Sequence, residues 1–490
     1  MSQVKWQSQV MVSSEIGTLR RVMVHSPDSG LGKVVPSKAQ DWLFEDIVHL
    51  KTMRRGEYDH YIKLLLYFLD PDKIKGKIKE VDAEANDRAF YKPDNPGYFN
   101  SDKVVDPQLL LTHILKDDSV RTKLVASICA VERCTYQIQE TLLKLSAIEL
   151  AKTFISGTLP DVAGRASQML FSPIPNFIFT RDIGIVINDH ILMNKPAKVA
   201  RTREALLTQY IFYNHPFFEN YRDKIIEISE SEHHFLLPDG EKDYKMSTLE
   251  GGDVMMVSKN HLLIGCSERT SPYAVNQVIK ALFEKDVVAK VSVIKIPKKR
   301  DYMHIDTIFT QVSRHVWVLL GNLSKRGEEL EKKDFMEDLM DVKVTDKLKI
   351  VTYLKGQEET PKYTEYLEDL LASISKDDLG ATEKVKFIYS GNNEFPFGAR
   401  EQWTDSCNVL ALKDGVVIGY DRNDKTAEAF KKAGFQIVNA IDLLEKFESG
   451  QTSPEEIQNT LIQLPSAELS RARGGSHCMS MPLLRDSINN

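Results

Sequence analysis

Residues 182–193 read DIGIVINDHILM. An acidic residue leads a run of aliphatic and β-branched side chains, a polar pair turns the chain, and a second apolar run returns. This is the pattern of a β-hairpin. It recurs as DVMMVSKNHLLIG (253–265), DTIFTQVSRHVWVLL (306–320) and DSCNVLALKDGVVIGY (405–420). Helical spacing follows several copies, over 203–213, 271–285 and 425–433. A fifth, looser copy pairs LRRVMVH (19–25) with FEDIVHL (44–50), ahead of a helix near 57–69. The intervals between Asp182, Asp253, Asp306 and Asp405 are unequal, which excludes a solenoid of fixed period. Two architectures satisfy the pattern. Hairpin-plus-helix units can surround an axis, with the same end of each first strand at the centre. Alternatively, an ordinary mixed sheet carries the acids by coincidence.

Working outward, residues 73–168 carry few strand-like alternations and read as a helical insertion, with helices over 117–131 and 136–155. In the second, Leu143, Ala147, Leu150 and Phe154 fall on one helix face. Residues 324–384 are dense in charge and read as solvated helices and linkers elaborating the fourth unit.

Bulk properties narrow the class. The chain has 490 residues, 42% hydrophobic and 27% charged, as expected of a globular protein. A net charge of −6 excludes a polyanion-binding composition, so neither nucleic acid nor an anionic membrane surface is an expected partner. No apolar run approaches the length of a membrane span. The start, MSQVKWQSQVMVSS, lacks the cationic and apolar regions of a secretory signal. Five widely spaced cysteines without a CxxC pair fit neither a disulfide framework nor a structural zinc site, so a cytoplasmic location is expected.

Four stretches carry chemistry: PNFIFTRD (175–182), LEGGD (249–253), MHID (303–306) and RARGGSHCMSMP (471–482). Each residue also has a plain structural reading. Cys478, after Gly474-Gly475-Ser476-His477, could be a buried small hydrophobe. His304 and Asp306, two apart, would share a face of a strand, and a core histidine explains the first equally well. Glu250-Gly251-Gly252-Asp253 could be a tight lead-in to a strand, and Arg181-Asp182 a simple ion pair. Arg201, Arg269 and Arg473, taken singly, read as surface cations. A metal needs three or more ligands. Asp182, Glu250, Asp253, His304, Asp306 and Cys478 offer a carboxylate-rich set that matches no zinc spacing, so no metal is expected. Together these groups suit one target. Carboxylates grip a planar guanidinium through paired hydrogen bonds, and a thiolate attacks its central carbon. A histidine protonates the departing amine, and arginines clamp a carboxylate.

These stretches resemble the arginine deiminase family. The resemblance covers most of the chain. It runs through SEIGTLRRVMVHSPD (14–28), LFEDI (43–47), PIPNFIFTRD (173–182), ILMNKPAKVARTRE (191–204), LEGGDVM (249–255) and IGCSERT (264–270). It continues through MHIDTIFTQV (303–312), REQWTDSCNV (400–409), VVIGYDRN (416–423) and RGGSHCMSMPLLRD (473–486). It implies an α/β fold, the pentein five-bladed propeller of pseudo-fivefold ββαβ units, with a helical domain inserted. The catalytic propeller would then be residues 1–72 and 169–490, interrupted by the insertion at 73–168 and carrying the charged elaboration at 324–384. By the same resemblance Cys478 is the nucleophile, His304 the acid–base and Glu250 its companion acid. Asp182 and Asp306 grip the guanidinium. Asn176, Arg201 and Arg269 hold the carboxylate end, Leu43 and Phe179 wall the pocket, Arg473 is a loop arginine, and Asp253 is counted with the binding residues. The implied reaction is hydrolysis of free L-arginine to L-citrulline and ammonia through a thiouronium intermediate, with no cofactor, by a homo-oligomer. Alternatives are another guanidino-hydrolase or an amidinotransferase of the same fold, or a non-catalytic arginine-binding protein. Two features depart from the family: extra length around 320–385 and 440–465, and Glu45 where aspartate is usual.

Overall fold

All four hairpins form in the computed structural model, which describes residues 9–27, 30–44, 46–160, 168–230, 234–242, 246–299, 301–325 and 348–488. Strand 184–187 pairs antiparallel with 190–193, 254–258 with 261–266, 309–313 with 316–319, and 410–413 with 416–420. The turns explain themselves locally. Asn188 takes a left-handed φ of 51° in the first, and Gly415 takes φ 75° in the last. Each hairpin then acquires a third strand parallel to its second: 225–226, 290–295, 386–389 and 460–464. A parallel neighbour demands a crossover, and helices Thr202–Asn214 and Pro272–Glu284 supply it in the first two units. Ser271 caps the second of these helices by accepting from the Ala274 N–H.

The result is an α/β fold with five sheets among the described residues. The fifth sheet differs from the sequence expectation. Strand 19–23 pairs antiparallel with 481–485 and parallel with 104–105. The described residues of 44–50 form no strand. Leu43 sits at a left-handed φ of 57°, and Ile47 is 40% exposed, so the stretch borders a cavity instead of entering a sheet. The two chain ends together close the fifth hairpin.

Two further expectations are corrected. The stretch 136–155 is two helices, Tyr136–Leu143 and Ala147–Ser156, because Ser146 and Glu149 form a reciprocal capping box between them. In the charged stretch, Lys349–Leu354 is a strand antiparallel to 290–295, and Lys362–Thr364 extends the same sheet. The densest charge, at 326–347, lies outside the described residues. Helices between 107 and 156 share one apolar core with helix 202–214, through Leu110, Leu124, Ile128, Leu150, Phe154, Leu207 and Ile211. No helix among the described residues is long and apolar enough to cross a membrane.

Candidate active site

Each recurring acid precedes the first strand of its hairpin, three of them in single 3-10 turns at 180–183, 251–253 and 305–307. These lead-in segments are tied to one another in a closed cycle. The Gly252 N–H donates to Asp182 Oδ1 (3.1 Å), and the Ile305 N–H donates to Asp253 Oδ1 (3.0 Å). Asn408 Nδ2 donates to the Asp306 carbonyl (3.2 Å), and the Cys478 N–H donates to Asn408 Oδ1 (3.0 Å). The Arg181 N–H returns to the Cys478 carbonyl (3.0 Å). Close approach requires the glycines. A Cβ on Gly251 would lie 2.0 Å from the Arg181 carbonyl oxygen, and one on Gly252 2.5 Å from His304 Nδ1.

A cavity of about 290 Å³ opens over this cycle. Cys478, Asp182, Glu250, His304, Asn176, Phe179, Leu43, Arg201, Arg269 and Arg473 line it. Asp306 lies beneath Cys478, with Oδ2 3.4 Å from Sγ, while its buried Oδ1 has no hydrogen-bond partner among the described residues. Asp253 stands behind the wall, bonded to Ser267 and the Ile305 N–H, so it braces the lead-in turns. His304 and Asp306 do not sit on a strand as expected. His304 caps a 3-10 turn and Asp306 lies within it, and the first faces Glu250 while the second faces His477. Arg201 and Arg473 are buried, not surface cations. Arg181 pairs with Glu15 (3.5 Å) instead of its neighbour Asp182.

The charges are arranged in two networks. Arg201 donates to Asp182 Oδ2 (2.7 Å), Glu250 Oε2 (3.3 Å) and Glu204 Oε2 (2.9 Å). His304 Nε2 meets Glu250 Oε2 at 2.9 Å, and Arg269 approaches Glu250 Oε1 at 3.9 Å. Burial works against a charged His304 ring, yet the Asp182 carboxylate and the bond to Glu250 outweigh it and raise its pKa to about 10. Glu250 is held well below the usual carboxylate range, because Arg201 and His304 overcome its burial. In the second network His477 lies between Asp306 Oδ2 (2.9 Å) and Glu15 Oε2 (3.1 Å). Asp306 is kept below its ordinary range, since His477 offsets the burial. Burial pushes the Cys478 thiol well up, and the carboxylates of Asp306, Asp182 and Asp405 push it further.

Asp182, Glu250 and His304 place ligand atoms within 4.8 Å of one another, a spacing that could hold a metal ion. However, Arg201 already occupies Asp182 Oδ2 and Glu250 Oε2, so the cluster is organised around an organic cation. Asn176 donates to the Trp42 carbonyl (2.8 Å), and the Arg473 guanidinium stacks 3.4 Å from the Trp403 ring centroid. Sequence reasoning missed Glu15, Glu204, Trp403 and Asn408. Of these, Asn408 had a usable signal, three residues after a recurring acid. Glu45 lies outside the described residues.

Comparison with known proteins agrees with this chemistry. A family profile described as "Arginine deiminase" matches residues 117–485, well over half of the chain. The arginine deiminase of Borrelia garinii subsp. bavariensis is 28% identical over 483 residues, covering 98% of each chain. That of Listeria welshimeri is 27% identical over 490 residues, covering 97% of this chain and 98% of its own. Among solved structures, SxtG, an amidinotransferase from Microseira wollei in the saxitoxin biosynthetic pathway, aligns with a TM-score of 0.45 and 12% identity, over 98% of this chain and 99% of that one.

Proposed function

The chain belongs to the arginine deiminase family, and from that premise we propose that it hydrolyses free L-arginine to L-citrulline and ammonia through a covalent adduct on Cys478. The observation that carries the reading is the convergence of a thiol, a charged imidazole and a set of buried carboxylates on one cavity. Asp182 and the free Oδ1 of Asp306 receive the substrate guanidinium. Arg269 and Asn176 meet the carboxylate end, with Leu43 and Phe179 along the aliphatic stem.

Cys478 then attacks the guanidinium carbon as a thiolate, forming the S–C bond and a neutral tetrahedral adduct. His304, an imidazolium at neutral pH, gives its proton to one amino group, the C–N bond breaks, and ammonia leaves. The remaining thiouronium carries the positive charge. The now neutral His304 takes a proton from water as the hydroxide adds to the carbon. Collapse of that adduct breaks the S–C bond and returns the thiolate, and the surplus proton leaves with ammonia as ammonium. The proton that the Cys478 thiol gives to solvent when the substrate cation binds returns to the sulfur as product leaves. Glu250 keeps the imidazole oriented throughout.

The same reading extends to architecture. Five sheets of one plan and a closed cycle of five hydrogen bonds between their lead-in segments support a pseudo-fivefold propeller. In it the propeller is 1–72 and 169–490 together with strand 104–105, which completes the fifth sheet, with the rest of 73–168 inserted and 324–384 as an elaboration. Five unpaired cysteines suit a cytoplasmic enzyme.

The test is incubation with L-arginine, assaying citrulline and ammonia in equal amounts, beside a Cys478→Ala variant. The expected outcome is equimolar products from the native chain and none from the variant. Turnover retained by the variant, or products from methylated arginine alone, would refute the assignment.

A further inference from the structure

The Cys478 sulfur lies in a poor place for an anion, with Asp306 Oδ2 at 3.4 Å and Asp182 and Asp405 adding to the same field. The structure also puts a donor on it. Asn408 Nδ2 is 3.1 Å from Sγ, and the residue is fully buried. The orientation of this amide is fixed by its other end. Oδ1 faces the Cys478 N–H at 3.0 Å, and a backbone N–H only donates, so that end must be the oxygen. The NH2 group therefore has two acceptors for two hydrogens: the Asp306 carbonyl at 3.2 Å and the sulfur. Every polar atom of the side chain is accounted for.

We propose that Asn408 is a catalytic residue of this site, whose amide N–H donates to the Cys478 sulfur and stabilises the thiolate that attacks the substrate. The assignment rests on the reading of Cys478 as nucleophile. A hydrogen bond from a neutral donor to a developing anion gains strength as charge accumulates, and burial removes competing water.

The surrounding backbone is built for this contact. A Cβ on Gly475 would lie 2.5 Å from the Asn408 carbonyl oxygen and 2.7 Å from Oδ1, so glycine is what lets the nucleophile's turn close onto Asn408. The Leu410 N–H donates to Ser476 Oγ (3.1 Å), and Ser476 Oγ donates to the Ile418 carbonyl (2.6 Å), which stitches the same turn to the hairpin carrying Asn408. Gly475 thereby acquires a reason: it holds the sulfur against an amide donor, whereas Gly474 makes room for the Phe179 ring.

The test reads the thiol directly. Cys478 is alkylated with iodoacetamide across a pH series, with peptide mapping to separate it from the other four cysteines. Asp306, Asp182, Asp405, His304 and His477 surround the sulfur in both proteins compared, so the shift between them reports Asn408. Asn408→Ala should raise the midpoint by about one pH unit. It should also lower kcat by about tenfold or more with little change in KM. Asn408→Asp, which keeps the shape and loses the donor, should move the midpoint further upward. An unmoved midpoint in either folded variant overturns the proposal. So does failure of both to fold, which would make the residue structural. If Cys478→Ala still forms citrulline, the nucleophile reading fails instead, and the alkylation shift stands apart from it.

Discussion

Alanine at Gly252 tests how tightly the acid–base histidine is seated. A Cβ there would lie 2.5 Å from His304 Nδ1, 2.7 Å from Cγ and 3.0 Å from Cβ. Ordinary van der Waals contact begins at 3.4 Å, so the imidazole must retreat by about 1 Å or swing off the 2.9 Å bond to Glu250. The backbone cannot yield instead without releasing the Gly252 N–H from Asp182. Gly252 does not adopt a left-handed φ, so alanine brings no backbone strain of its own. Overpacking costs about 1–3 kcal/mol of stability, partly offset by about 0.4–1 kcal/mol from stiffening the unfolded chain. A misplacement of about 1 Å near the reacting atoms lowers rate by roughly 100-fold, or about 2.7 kcal/mol of barrier. The expected variant is folded, binds arginine nearly normally, and turns over about 100-fold more slowly. Citrulline formation gives kcat and KM, and a thermal melt confirms the fold. A kcat within about threefold of the native value would refute the placement of His304 as acid–base, since no other group was displaced.

Arg201→Ala leaves Asp182, Glu204 and Glu250 buried without their shared guanidinium, which should cost about 3–5 kcal/mol at pH 8. Burial already raises Glu204 to about 7 with Arg201 present, and its loss raises the folded pKa further. A carboxyl raised above its unfolded value destabilises most at high pH, so the deficit in denaturant melts should shrink towards pH 5, and an equal deficit at both pH values would contradict the network. His477→Ala should shift the acid limb of kcat/KM to higher pH, because His477 holds Asp306 ionised against its burial; an unmoved limb would show that Asp306 does not depend on it.

Much of this arrangement was legible in the sequence because it is local. Asp182, Asp253, Asp306 and Asp405 each head an apolar run, a short polar turn and a second apolar run, and a hairpin needs no distant information. The fifth hairpin was not legible, since its strands, 19–23 and 481–485, stand at opposite ends of the chain. The strand at 349–354 was hidden by its charged surroundings, and the break at Ser146 by an apolar spacing that continues across two helices. That break had a local signal, Ser146 followed three residues later by Glu149. At the site, residue types disclosed Cys478, His304 and the acids. Glu15 and Asn408 reach the site from positions far from Cys478 in the chain, Asn408 with only its place three residues after Asp405 as a signal and Glu15 with none.

The electrostatics then fix the order of events. In the proposed mechanism the carboxylates assigned to the guanidinium are the same groups that push the Cys478 thiol up, so the free enzyme would hold a thiol beside a charged His304. In this state Arg201 already satisfies Asp182 and Glu250, and the substrate head must exchange with one guanidinium instead of filling a bare anionic hole. What the substrate would add is positive charge next to the sulfur, over Oδ1 of Asp306, which no described residue reaches. In the proposed mechanism the thiolate is therefore favoured when its electrophile is in place.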